Sequence, residues 1–224
     1  AARSGTGKIF DLMEEGSDLS SNRGPGWHRV VHEDEFVGYV KHNRNVSIAK
    51  CKFTVRRSPK ELHEFFGDAA QWKTWLSPFS VDNNGIAVET SRHDVPLGVS
   101  VGNILFQEAK NLIINLHFKF PEPAPSLEFC LHQGSFFNPE SNLSAILFES
   151  HDDGQVHENT LRGEFKTSGF LIHPSETVEN ACEVVSVLQL NIPQGLFSTV
   201  GAEGAENSLN QLAIFASIMA VQSM

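Results

Sequence analysis

The sequence predicts an α+β domain: a curved antiparallel β-sheet with a single long, apolar C-terminal helix packed across it. Three observations lead there. Residues 80–192 are an almost unbroken series of strand-like stretches, separated by turn-rich segments such as NPESN and HDDGQ. Where alternation is clean it has period two, as expected of half-buried strands. After a break at Pro193-Gln194-Gly195, residues 205–222 carry Leu209, Leu212, Ala213, Ala216, Met219 and Ala220 at helical spacing, with no charge after Glu206. Strands followed by a segregated helix favour an α+β arrangement. A large sheet covered by one helix can also leave an internal apolar cavity.

The elements follow in order. GKIFDLMEE at 7–15 reads as a short helix stopped by Gly16, and the polar SDLSSNRGPG follows it as a linker. WHRVVHEDEFVGYVKH reads as two strands around an acidic turn. In 47–55, Ser47, Ala49, Cys51, Phe53 and Val55 share one face, while Ile48, Lys50, Lys52 and Thr54 share the other. Ser58-Pro59-Lys60-Glu61 has the form of a helix start, with Ser as N-cap, Pro at the first helical position and Glu at the third. Leu62, Phe65 and Phe66 supply its apolar stripe, and a second short helix is predicted over 69–75. Leu112, Ile114, Leu116, Phe118 and Phe120 then mark a strand, followed by strands at 127–135, 143–150, 160–172 and 182–192. Residues 1–25 are read as an N-terminal helix and linker joined to one globular unit, 26–224. The start at Ala1 fits a domain taken from a longer parent chain, whose other domains are expected partners.

The 224 residues are 40% hydrophobic and 20% charged, with a net charge of −10. That balance argues against nucleic acid, which is held by clustered Lys and Arg, and against steady attachment to an anionic membrane. The apolar run 212–221 is about half of what a bilayer span requires. Cys51, Cys130 and Cys182 are odd in number, far apart and inside strand-like stretches, as in reduced core thiols of a cytoplasmic protein.

Chemical motifs are near misses. SGTGK has Ala2 where a phosphate loop needs glycine, and Ile9 where it needs Ser or Thr. His28 and His32 fall on a strand, not on a helix that would bring them together. His151-Asp152-Asp153 with His157 reads as a hairpin turn. No Gly-x-Ser-x-Gly elbow is present. Neither metal nor cofactor is expected.

Three stretches, taken together and in order, resemble the START family of lipid-transfer domains. SPKELHEFFGDAAQWKTWL at 58–76 is similar to the family's capped helix, with Asp68 and Trp75 matching and Leu76 in place of a second acid. TLRGEFKTSGFLIHP at 160–174 matches at Arg162, Gly169 and Pro174, with Phe170 in the aromatic place. CEVVSVLQLNIPQGLF at 182–197 matches at Ile192 and Pro193, with the glycine following the pair. The resemblance spans about 27 to the end and implies a helix-grip fold. It also implies a tunnel between sheet and final helix that holds one lipid (sterol, phospholipid or ceramide), transient membrane contact and no catalysis.

In this light the proline-rich FPEPAPS at 120–126 stands where the family has a mobile loop, and with the final helix would form a gate. Leu209, Leu212, Ala213, Ala216 and Met219 would line the roof. Two departures bear on the ligand. Leu127-Glu128 stands for the family's Arg-Asp, so Glu128 must find another cation or face water. Gln133 replaces an arginine in the tunnel, and as a neutral donor and acceptor it suits a hydroxyl, an amide or a bridged water; alternatively it faces solvent at a strand end. Asn103 is a second polar candidate, whereas Asn115 and His117 are weaker ones, predicted on the outer face. Two rivals stay open: a regulatory module that transfers nothing, and a cavity enzyme using Glu128 with a histidine.

Overall fold

The computed structural model describes residues 27–33, 36–43, 46–71, 86–93, 100–101, 104–105, 108–118, 125–152, 158–191 and 193. The predicted helices at 7–15 and 205–222, the linker and the loop at 120–124 lie outside the described residues.

The described chain opens with three consecutive antiparallel strands, β1 (Trp27–Glu33), β2 (Phe36–Asn43) and β3 (Val46–Val55), followed by α1 (Pro59–Gly67). Then come β4 (Ile86–His93), the two-residue pair β5 (Ser100–Val101) and β6 (Ile104–Leu105), β7 (Glu108–Phe118), β8 (Ser126–Asn138) and β9 (Leu143–Ser150). The described chain closes with β10 (Thr160–Arg162), β11 (Glu164–Phe165), β12 (Ser168–Pro174) and β13 (Cys182–Asn191). All but β5 and β6 join one sheet; its main path runs β1-β2-β3-β13-β12-β9-β8-β7-β4, and off it β10 pairs with β8 and β11 with β13. The last strand returns to pair with β3, so the middle of the sheet is assembled from opposite ends of the sequence.

The cap of α1 forms as its residue types require. The Ser58 hydroxyl accepts from the Glu61 N–H at 3.3 Å, and the Glu61 carboxylate accepts from the Ser58 N–H at 2.8 Å. The Ser58 N–H and then the Ser58 hydroxyl, which donates to the same carboxylate at 2.9 Å, hold the exposed Glu61 carboxyl below the usual glutamate range, with help from the Arg57 charge. Pro59 fills the first helical position, where the missing N–H costs nothing. The helix stops at Asp68, whose carboxylate accepts from the Ala70 N–H and starts a 3-10 turn at Ala69–Gln71. That turn is the described part of the helix predicted over 69–75.

Two other expectations need correction. The strand predicted over 160–172 is three strands, because the chain crosses at Gly163 and steps again at Lys166-Thr167. At Gly163 a Cβ would lie 2.2 Å from Phe129 Cε1, so the crossing is close enough to require glycine. At the second step the Ser168 hydroxyl donates to Lys166 O and accepts from the Gln189 N–H. Nor do β9 and β10, on either side of HDDGQ, pair as a hairpin among the described residues: β10 runs parallel to the first residues of β8, Leu161 beside Leu127 and Arg162 beside Glu128. A three-residue strand carries no periodicity from which that pairing could be read.

Both faces of the central strands are buried. On the inner face, defined by α1, Leu62 and Phe66 pack with Phe36, Phe53, Phe148, Phe170, Val184 and Leu188. Phe66 stacks on Phe170 with centroids 4.1 Å apart, a contact worth roughly 1 kcal/mol beyond the area it buries. On the outer face Phe136, Ala145, Leu147, Val185 and Val187 form a second buried cluster. This two-sided burial explains why 127–138 and 182–191 read as nearly continuous apolar runs. The three cysteines are free and buried, and burial pushes the Cys51 and Cys182 thiols up, the latter to about 12.

Candidate functional site

The inner face is the part of the fold with the composition of a binding surface. Ladder register assigns it residue by residue, because alternate positions of a strand share a face. In β8 it receives Leu127, Phe129, Leu131, Gln133, Ser135 and Phe137; in β13 it receives Cys182, Val184, Ser186, Leu188 and Leu190. Charged positions of the same strands fall opposite: Lys50 and Lys52 on β3, Glu128 on β8, Glu149 on β9, Glu183 on β13. Lys52 and Glu183 pair there at 2.6 Å. On the central strands β3, β13, β12, β9 and β8 the inner face is thus aromatic and aliphatic, interrupted by a few neutral polar groups.

Those polar groups concentrate under α1. His63 Nδ1 and the Ser144 hydroxyl are 2.7 Å apart, beside the Phe137 ring. Gln133 is fully buried, and its amide nitrogen donates to Gly67 O at 3.4 Å and to the Ser135 hydroxyl at 3.2 Å. The reading of Gln133 as a solvent-facing strand end is therefore overturned: it faces inward and fastens the end of α1 to the sheet. Its inward position suits contact with a ligand, through a side chain already committed to the protein. Asn103, Leu209, Leu212, Ala213, Ala216 and Met219, the remaining candidates, lie outside the described residues.

Glu128 does find a cation. It is 2% exposed and lies on the outer face, as its register opposite His117 and beside Arg162 dictates. Arg162 donates to Glu128 Oε1, His117 Nδ1 stands 3.7 Å from Oε2, and Arg162 Nη2 reaches His151 O at 3.5 Å. The parallel strand β10 is what brings Arg162 there. This cluster binds β7, β8 and β10 together on the face opposite α1. Asn115 also takes its expected place on that face.

Sequence reasoning missed the His63–Ser144 contact and the placement of Ser186. For His63 a signal existed: it neighbours Leu62 on the predicted apolar stripe, so a partner in the sheet had to exist. For Ser186 the signal is one hydroxyl in the middle of an otherwise apolar strand.

The sheet with α1 across it has the fold of START domains. No protein-family model and no curated protein matches the sequence. Solved structures do match along essentially its full length. Human STARD10 is 14% identical with a TM-score of 0.60, covering 98% of this chain and 80% of that one. Human StAR-related lipid transfer protein 5 is 8% identical with a TM-score of 0.61, covering 99% and 97%. The lipid transfer and protein localization domain of human StarD13 is 11% identical with a TM-score of 0.57, covering 100% and 96%. At these identities the likeness is one of fold, and it agrees with the resemblance carried by the three sequence stretches. Among the described residues no helix is long and apolar enough to cross a membrane.

Proposed function

We propose that this domain binds a single lipid of the sterol, phospholipid or sphingolipid class against the inner face of its sheet, for transfer or sensing in the cytosol. The observation that carries the reading is the segregation of the sheet. On a fold shared with lipid-transfer domains, the α1 face is built from Phe36, Phe53, Phe148, Phe170 and aliphatic neighbours, and the charges of the central strands β3, β8, β9 and β13 lie on the other face. Each CH2 group of a lipid removed from water there gains roughly 0.8 kcal/mol, enough in aggregate to compete with a bilayer. In this reading the stripe Leu209, Leu212, Ala213, Ala216 and Met219 faces the same cavity, and the loop at 120–126 gates it during transient membrane contact. The domain performs no covalent chemistry on its cargo: the Glu128–His117 pair, the hint of an acid–base function, is on the outer face and held by Arg162.

Native mass spectrometry with lipidomics on the domain purified from cells tests this. One lipid per chain is the expected result. A chain that emerges at its bare mass from every preparation, and acquires no lipid from mixed vesicles, would leave the regulatory, non-transferring reading in its place.

A further inference from the structure

The outer face of the sheet is buried without a described helix against it. Phe136, Ala145, Leu147, Val185 and Val187 cluster there, and Ala145, Val185 and Val187 are at most 2% exposed. Among the described residues the one α-helix, α1, lies across the inner face. A sheet that is apolar on both faces needs a packed layer on each. The layer on this side also meets positive charge. Lys50 is opposite Val187 in the ladder and 6% exposed, and its Nζ lies 5.9 Å from the centre of the Trp27 ring, as does that of Lys41. An aromatic face offsets only part of the cost of burying a cation, and here one ring serves two. Acidic side chains in the covering layer complement such a rim.

Residues 7–15, GKIFDLMEE, have the matching composition. On a helix Ile9, Phe10, Leu12 and Met13 share one side, and Lys8, Asp11, Glu14 and Glu15 the other, three acids to one base. The other apolar helix that the sequence predicts, 205–222, has no charge after Glu206 and brings nothing to the lysines; the lipid-binding reading places it over the inner face. The connection also fits. Residues 17–26 join the segment to Trp27, which shares the outer face with Lys41 and Lys50. Extended, that linker spans about 33 Å, and the strand spacings from β1 across to β9 amount to about 24 Å. We propose that residues 7–15 dock as an amphipathic helix on the outer face, with Phe10 and Met13 among Phe136, Leu147, Val185 and Val187. Glu14 and Glu15, at the end nearest the linker, then come to the Lys50 side. The outer face is a docking surface for the chain's own N-terminal segment.

The experiment uses the full chain with the photo-crosslinker p-benzoylphenylalanine in place of Phe10 and, in a second variant, of Met13. Irradiation followed by peptide mapping is expected to join residues 7–15 to Leu147, Leu171 or Val185 of the same chain. Crosslinks to inner-face residues such as Phe53 or Leu188 would overturn the proposal. So would crosslinks between chains, which make a second copy the occupant, or none in either variant. Charge is tested by exchange. Lys50→Glu is expected to cut the crosslinking yield several-fold, and adding Glu14→Lys and Glu15→Lys to restore it. An equal yield with and without these changes would overturn the role given to the acids. Phe10→Asp is expected to lower the urea midpoint by about 1 M, and an unchanged midpoint would overturn the docking. If Lys50→Glu does not fold, the crosslinks with Lys50 intact and the Phe10→Asp midpoint decide.

Discussion

Arg162→Ala is expected to lower the unfolding free energy by about 3 kcal/mol, measured as a shift in the urea midpoint at unchanged slope. The reason lies at the other end of the ion pair. Glu128 is 2% exposed, and its carboxylate is held by Arg162 and, at 3.7 Å, by His117. Removing one partner of a buried pair typically costs 3–5 kcal/mol, because the remaining charge stays buried without compensation. The lower end applies here, since the Arg162 side chain is 35% exposed and water can enter the space it leaves. A paired replacement separates this cause from lost packing. Glu128→Gln combined with Arg162→Met removes both charges and keeps most of the volume, so it should recover much of the loss. A loss below about 1 kcal/mol for Arg162→Ala would mean that water reaches Glu128 and that the cluster contributes little, as exposed ion pairs do.

Gly169→Ala should cost about 3 kcal/mol or abolish folding, read from the same unfolding curves or from soluble yield. A Cβ at this position would lie 2.2 Å from Ile146 O and 2.8 Å from Leu147 Cδ2. The obstructing atom is a backbone carbonyl of β9, which is hydrogen-bonded alongside β12 and cannot rotate away as a side chain can. The strands must separate, and Phe170, the next residue, must then leave its stack on Phe66. A substitution tolerated within about 0.5 kcal/mol would contradict this close approach.

How much of the fold was legible in the sequence depended on whether one face of an element met water. The alternation at 47–55 placed Ala49, Cys51, Phe53 and Val55 on the buried face correctly, and the Ser58–Glu61 pattern located the start of α1. In β8 and β13 the signal fades because both faces are buried; the pattern of apolar residues no longer says which side is which. Glu128 illustrates the consequence. Its partner Arg162 was in view as part of a recognisable stretch, but pairing them required knowing that β10 runs parallel to β8, 34 residues on. Gln133 was visible as a neutral residue in an apolar strand, whereas its engagement with Gly67 depends on how α1 lies across the sheet. Ser186 stands out only once register assigns it to the inner face, opposite Cys51.

The central claim is that the inner face, beneath α1, is where lipid lies. Photolysis of the domain bound to a lipid carrying a diazirine in its apolar portion, followed by residue-level mapping of the adducts, tests it most directly. Saturable labelling of inner-face residues such as Phe53, Phe148, Phe170 and Leu188 is the predicted result. Adducts confined to outer-face residues such as Leu147, Leu171 and Val185 would contradict it.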